Sequence, residues 1–234
     1  MLLQTENKKL EFNKLVAFGC SHTFGSESFN PGDHYSDDCI YGAYPYFLSE
    51  QLGIPVYINK ARPGASNLEI AHKVIDYTIN NDCTNTIFII GWSSDTRFPI
   101  MQKRKYNTIK LIRNRFLFTK QTKQFDLFHD FMSLYFFDTP LNTTFNALVK
   151  LCTSVILEKQ NVTYLTLPTF IYNNHSLFKY ITKSNNILSY DDNNEIIFDF
   201  LKYKLDKNDS IHLTHTEHKI LSIFLYKHIV KHLL

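Results

Sequence analysis

No stretch of this sequence is apolar over enough residues to cross a membrane. Every apolar run falls short of the roughly 18 residues that a spanning helix needs. The N-terminal residues 1–15 are polar and rich in lysine, so they lack the apolar segment of a secretory signal peptide. We therefore expect a protein that neither spans a membrane nor leaves the cell by the ordinary secretory route.

Cysteine is scarce and scattered. The 234 residues include only Cys20, Cys39, Cys83 and Cys152, and no two of them form a C-x-x-C pair. This spacing argues against a zinc ribbon and against a dense framework of disulfides. Free thiols in a reducing compartment are the expected state of these side chains.

The sequence also lacks an excess of one charge. Its 25 Lys and Arg against 22 Asp and Glu give a net charge of +3, too small to indicate nucleic-acid binding. One local exception is the stretch 97–123, which carries nine basic residues, interleaved aromatic residues and no acid. Such a stretch could bind nucleic acid or an acidic glycan. A solvated amphipathic insertion is the interpretation that we favour.

What the sequence contains is an alternation of strand-like and helix-like segments. The short apolar runs typical of buried parallel strands are 14–19, 55–59, 86–91 and 162–168. The helix-like segments are 44–52, one starting at Asn67, 142–159 and one starting at Thr214. This alternation predicts an α/β fold with a parallel sheet of four or five strands covered by helices on both faces.

We expect one domain over residues 1–234, because no internal repeat and no Pro/Gly/Ser-rich linker divides the chain. Two long aromatic and polar stretches, at about 95–138 and 169–208, interrupt the alternation and are predicted to be insertions. Ligands of open α/β sheets bind beyond the carboxyl ends of the strands. The insertions are expected to gather at that edge.

Several residues that could carry chemistry stand at or near predicted strand ends. Ser21 follows the first strand, where a side chain projects from the carboxyl edge of the sheet as a nucleophile must. Gly64 follows the second strand and could present its backbone N–H to an oxyanion. Asp209 precedes His212 by three residues near the C-terminus. Such an aspartate can bind Nδ1 of the imidazole and leave Nε2 to accept a serine proton.

These blocks, in this order, resemble the SGNH (GDSL-like) hydrolase superfamily. Gly19-Cys20-Ser21 matches its first block, Gly64 the glycine of its second, Gly91 to Ser94 its third, and Asp209 with His212 its last. Uncharacterised phage-type members with a G-C-S-H-T block are the most similar, so a cytoplasmic or virion-associated location is expected. The resemblance implies a three-layer flavodoxin-like fold and a triad of Ser21, His212 and Asp209.

The resemblance also implies an oxyanion hole made by the N–H groups of Ser21 and Gly64 and a side chain of the third block. Here the sequence departs from the superfamily, since Ser93 stands where an asparagine is usual. Ser93 or Ser94 could donate a hydroxyl instead, and Asn67 could supply an amide. Loss of one oxyanion donor slows such enzymes by about 10²–10³-fold without abolishing catalysis.

His212, His215 and His218 recur every three residues, which raises the question of a metal site. At this spacing the side chains spread around a helix rather than converge, unlike the i, i+4 pair of H-E-x-x-H. We therefore expect no metal and no cofactor, and a structural role for His218.

The sequence thus predicts a serine esterase or deacetylase that hydrolyses an acyl ester through an acyl-enzyme. An O-acetyl group on a carbohydrate is the narrower expectation, and the partner would be a small-molecule or glycan ester. A second hypothesis is a catalytically weak module of the same fold that binds glycan or serves in an assembly. A nucleic-acid-binding protein, suggested by residues 97–123 alone, is the third and least favoured.

Overall fold

The computed structural model describes residues 11–93, 97–102, 105–110, 140–167 and 212–232. The strands are β1 (Lys14–Gly19), β2 (Val56–Asn59), β3 (Thr86–Gly91), β4 (Arg97–Gln102), β5 (Lys105–Lys110) and β6 (Thr163–Leu167). The helices are α1 (Ser21–Phe24), α2 (Tyr44–Leu52), α3 (Asn67–Asn80), α4 (Pro140–Lys159) and α5 (His215–His232), with a 3₁₀ helix at Asp37–Gly42.

Four strands form one parallel sheet in the order β2-β1-β3-β6. This is the strand order with which flavodoxin-like sheets begin, and it confirms the predicted α/β fold with a parallel sheet. The chain runs from β1 to one side and then returns to the other, so a crevice opens beyond the carboxyl ends of β1 and β3. Gly19 and Gly91 lie opposite each other at those ends.

The strands are buried on both faces, which explains why they read as continuous apolar runs. In β1, Leu15 and Ala17 join one core cluster, while Val16 and Phe18 join the other. Helices α2 and α5 cover the first cluster and α3 and α4 cover the second. The result is the expected three-layer arrangement of helices, sheet and helices.

Helix ends follow local sequence signals. The N-terminus of α5 is capped by Thr214, whose hydroxyl accepts from the Glu217 N–H (3.4 Å) while Glu217 accepts from the Thr214 N–H (2.6 Å). This is the predicted capping box. Helix α4 begins at Pro140, two residues before the predicted start, because proline suits the first turn of a helix.

The first predicted insertion includes β4 and β5, which pair antiparallel in a separate two-stranded sheet. The sequence predicts no strands there, because basic residues dominate the stretch. The remainder of this insertion and all of 169–208 lie outside the described residues, so the single-domain interpretation stays a prediction. Among the described helices, none is long and apolar enough to span a membrane. All four cysteines are free thiols.

Candidate active site

Ser21 stands at the carboxyl edge of the sheet, as the sequence predicted. It is the first residue of the one-turn helix α1, directly after Cys20, and only 4% of its surface is exposed. Its carbonyl accepts from the N–H groups of Gly25 (2.9 Å) and Ser26 (3.0 Å), which closes the turn. The Ser21 hydroxyl forms no hydrogen bond with any of the described residues.

The turn that carries Ser21 is fixed by Thr23 packing over the strand ends. A Cβ built on either Gly19 or Gly91 would lie 2.2 Å from Thr23 Oγ1, so only glycine fits at both positions. Thr23 Oγ1 also lies 3.1 Å from the buried Tyr44 hydroxyl. The glycines of the first and third blocks thus make room for the turn that begins with Ser21, a steric role that the sequence pattern did not reveal.

The end of β2 supports the same turn. Asn59 Nδ2 donates to the Thr23 carbonyl (3.0 Å), while Asn59 Oδ1 accepts from the Ala61 N–H (2.9 Å). Asn59 therefore joins the second block to α1.

The loop that contains Gly64 lies next to the end of β1. The Arg62 N–H donates to the Gly19 carbonyl (3.0 Å), and the Ala65 N–H donates to the Arg62 carbonyl (3.0 Å). Gly64 has a φ of 78°, a left-handed conformation that favours glycine. A Cβ built there would meet no atom within 4 Å among the described residues, so the space beside Gly64 is open.

The structure brings together Asn67 and Ser93, two of the candidates for the oxyanion hole. Asn67 Oδ1 accepts from the Ser93 N–H (2.7 Å), and Asn67 Nδ2 donates to Asn146 Oδ1 (2.9 Å). All three residues are buried. The contact with Asn146 uses one of the two N–H bonds of the amide. Asn67 and Ser93 both stay candidate donors, while Ser94 lies outside the described residues.

His212 lies beside α1, although almost the whole chain separates it from Ser21. The rings of His22 and His212 have centroids 5.4 Å apart, and 9% of the surface of His212 is exposed. His212 Nδ1 lies 2.7 Å from Glu27 Oε2, a hydrogen bond between residues 185 positions apart. The predicted base therefore lies next to the turn that begins with Ser21. A carboxylate is bonded to its Nδ1, which leaves Nε2 to accept a proton.

Glu27 is held firmly in the loop after α1. It has a φ of 62°, a left-handed conformation that is rare for residues other than glycine. Its N–H donates to the Asp33 carbonyl (2.6 Å), and its Oε1 accepts from the Gly32 N–H (3.0 Å). His34 Nε2 lies 3.7 Å from the same Oε1.

The pKa of His212 is lowered from its ordinary value. Burial is the largest cause, the hydrogen bond and charge of Glu27 oppose it, and the positive fields of His34 and Arg97 reinforce it. The sign favours the neutral imidazole at pH 7, which is the form that can accept a proton.

Glu27, His34 and His212 are also the described residues that could hold a metal ion, with donor atoms within 4.8 Å of one another. Two ligands of a tetrahedral zinc ion are separated by roughly 3.3 Å. The 2.7 Å between Glu27 Oε2 and His212 Nδ1 is shorter and is an ordinary hydrogen-bond distance. The geometry is therefore that of an acid–histidine pair.

The other two histidines of the C-terminal run do not converge with His212. His218 is fully buried, and its Nδ1 accepts from the Tyr44 N–H (3.2 Å), which ties α5 to α2. The ring of His215 packs against Phe29 and Phe47. The structural role predicted for His218 agrees with these contacts.

Sequence reasoning missed Glu27 and Asn146. Neither belongs to a recognisable block, and each meets its partner only because the sheet order brings distant loops together. Asp209, the predicted acid of the triad, lies outside the described residues and stays a prediction.

No family model matches the sequence, and no curated protein matches it either. Solved structures do match. A G-D-S-L-family protein from Desulfitobacterium hafniense DCB-2 is 15% identical, with a TM-score of 0.50 over 92% of this chain and 99% of its own. The psychrotrophic esterase EstA from Pseudoalteromonas sp. is 11% identical, with a TM-score of 0.51 over 94% of this chain and 97% of its own. The chain therefore has the fold of the SGNH (GDSL-like) hydrolase superfamily, as its sequence predicted.

Proposed function

We propose that this protein is a serine hydrolase that cleaves carboxylic esters, with Ser21 as nucleophile and His212 as general base. One observation carries the proposal. A buried histidine from the last sequence block lies against the turn that begins with Ser21, and its Nδ1 is bonded to a carboxylate. That arrangement supplies a neutral, oriented imidazole beside a serine at the carboxyl edge of the sheet.

In the proposed reaction Ser21 Oγ attacks the ester carbonyl, and His212 Nε2 takes the hydroxyl proton. The tetrahedral intermediate then collapses, the C–O bond to the alcohol breaks, and His212 returns the proton to the leaving oxygen. Water, activated by His212, hydrolyses the resulting acyl-enzyme and regenerates Ser21. The missing Ser21–His212 hydrogen bond is compatible with this sequence, since such bonds often tighten only when substrate binds.

The oxyanion of the intermediate would be bound by the N–H groups of Ser21 and Gly64. The space beside Gly64 supports this role, because none of the described side chains would meet an approaching carbonyl there. Asn67 or Ser93 would supply a third donor.

The substrate class follows from the superfamily resemblance alone. It is an acyl ester, with an O-acetyl group on a carbohydrate as the narrower proposal. The alternative of a catalytically weak module that binds glycan rests on the absent asparagine of the third block, where Ser93 stands.

A fluorophosphonate probe tests the nucleophile. It forms a stable phosphonyl ester with an activated serine and leaves an ordinary serine unlabelled. We expect the intact mass of the protein to show one adduct, and Ser21→Ala to show none. Ser49→Ala is the matched control, since Ser49 is a buried serine of α2 that bonds the Tyr46 carbonyl and should leave the labelling at Ser21 in place.

Labelling that persists in Ser21→Ala would place the nucleophile elsewhere and contradict the assignment. No adduct in folded wild-type protein would favour the binding module instead. Hydrolysis of p-nitrophenyl acetate by the wild type, with loss in Ser21→Ala and His212→Ala, is the parallel measurement.

A further inference from the structure

We propose that Glu27, rather than the Asp209 of the sequence motif, is the carboxylate that positions His212. This inference rests on the proposed function, since it concerns the orientation of the proposed base. It assigns a positioning role to a residue only six positions after the nucleophile, in a loop outside the blocks that carry the superfamily resemblance.

The distance from Glu27 to His212 is that of a bond that orients the imidazole ring. An imidazole Nδ1 carries at most one hydrogen to donate. Glu27 Oε2 lies 2.7 Å from Nδ1, the distance of a strong charge-assisted bond. Among the described residues, Glu27 therefore makes the contact that the sequence motif assigns to Asp209.

The loop that contains Glu27 is built to hold this carboxylate. Glu27 adopts its left-handed conformation at an expected cost of about 1–3 kcal/mol. The loop is closed by the bond from the Glu27 N–H to the Asp33 carbonyl (2.6 Å) and by the bond from Ser26 Oγ to the His34 carbonyl (2.9 Å). Strain that the surroundings enforce in this way is typical of functional sites.

The charges around His212 also favour Glu27. The charged or titratable groups that face His212 are Glu27, His34, His22 and Arg97. Glu27 is the one acid among these described neighbours. Its negative charge stabilises the imidazolium that forms when His212 accepts the serine proton.

A glutamine at position 27 would reverse the hydrogen bond. Oε1 accepts from the Gly32 N–H (3.0 Å), so an oxygen is required at that end of the side chain. The amide NH₂ of glutamine would then face His212 Nδ1. A donor at this place makes Nδ1 an acceptor and moves the ring proton to Nε2, which abolishes the base.

The decisive measurement is the tautomer of His212 in the full chain by ¹⁵N NMR at pH 8. We expect a proton on Nδ1 in the wild type and on Nε2 in Glu27→Gln, with a far smaller change in Asp209→Asn. Glu50→Gln, on the exposed side of α2, is the neutral control. A wild-type tautomer that survives in Glu27→Gln, or that is lost in Asp209→Asn, would overturn the proposal.

Kinetics give the second readout. We expect kcat/KM for p-nitrophenyl acetate to fall by about 10²–10⁴-fold in Glu27→Gln, as in triads whose acid is replaced by its amide. Because Glu27 raises the pKa of His212, the acid limb of the remaining activity should move to lower pH. A purely structural role would lower activity without moving that limb.

Different outcomes contradict the hydrolase proposal and the proposal for Glu27. If Ser21 takes no fluorophosphonate adduct but the tautomer still depends on Glu27, the hydrolase assignment fails and the contact stands. If Ser21 is labelled but Glu27→Gln keeps the tautomer and the rate, the hydrolase stands and Glu27 is not its positioning acid.

Discussion

At the scale of single residues, the turn that begins with Ser21 depends on one threonine. Thr23 occupies the position of the second glycine in a G-x-S-x-G elbow, and its hydroxyl lies between the ends of β1 and β3 and the Tyr44 hydroxyl. Burial raises the pKa of Tyr44, so this phenol stays protonated and needs a partner. The tight turn after β1 is therefore possible because glycines end β1 and β3, while the turn itself keeps its side chains.

Substitution of Gly91 tests this packing. A Cβ there would meet Thr23 Oγ1 at 2.2 Å and Tyr44 Oη at 3.0 Å, so we expect Gly91→Ala to lower the free energy of unfolding by about 1–3 kcal/mol. In a Thr23→Ala background the nearest remaining atom of residue 23 is Cβ at 3.5 Å. The extra cost of Gly91→Ala should then be clearly smaller, as measured by urea denaturation in a double-mutant cycle.

Gly19 provides the matched comparison for this cycle. Its built Cβ would also meet Thr23 Cβ at 2.6 Å and the Gly91 carbonyl at 2.8 Å. Removal of the Thr23 hydroxyl leaves both clashes, so Thr23→Ala should not rescue Gly19→Ala. Equal rescue of the two glycine variants would show that Thr23 does not fill the gap as described.

Some residues of the candidate site could be predicted from the sequence, and others could not. Ser21 and His212 could be predicted because they belong to short blocks whose position relative to strands is local. Glu27 could not, because one glutamate in a polar loop has no pattern, and its contact with His212 spans 185 residues.

At the scale of elements, α5 follows the predicted base His212 and closes one face of the sheet. Leu225 and Ile229 are fully buried against that face, while Ile223 on the same helix is 44% exposed. The helix starts three residues after His212, and the capping box of Thr214 and Glu217 fixes its first turn. Its packing therefore sets where His212 lies.

The two faces of α5 give a paired prediction. We expect Leu225→Ala to lower the free energy of unfolding by about 2–5 kcal/mol, because it opens a cavity under the helix. Ile223→Ala removes a similar side chain from a half-exposed position and should cost much less. Chemical denaturation of the two variants measures the difference. Equal losses would contradict the assignment of the buried face.

At the scale of the whole molecule, the two cores share their strands. Each of β1 and β3 contributes alternate side chains to both clusters, so loss of either strand exposes both faces. The sequence contains a single tryptophan, Trp92, which is 3% exposed and belongs to the cluster under α3 and α4. Its fluorescence therefore reports on one face of the sheet only.

This sharing predicts cooperative unfolding. Trp92 fluorescence and far-UV circular dichroism should give the same midpoint in urea, although they report on different parts of the structure. The same measurement can be made on the protein before and after it is labelled by the fluorophosphonate probe. Separate transitions would mean that the layer with α2 and α5 unfolds independently of the layer that contains Trp92.

The sequence by itself determined the elements and their class. Apolar runs ended by glycine predicted β1 and β3 with their observed ends, and the spacing of Thr214 and Glu217 predicted the start of α5. These signals are local, because strand periodicity and helix capping depend on residues a few positions apart. The order of the blocks was enough to predict the fold and to select Ser21 and His212.

The tertiary structure alone decided how the site is assembled. The contact between Glu27 and His212, the chain from Ser93 through Asn67 to Asn146, and the space filled by Thr23 each join segments that are distant in sequence. Such contacts depend on strand order and on loop conformations with positive φ, which no local pattern encodes. The sequence could therefore predict His212 as the candidate base, and only the packed fold brought Glu27 to its Nδ1.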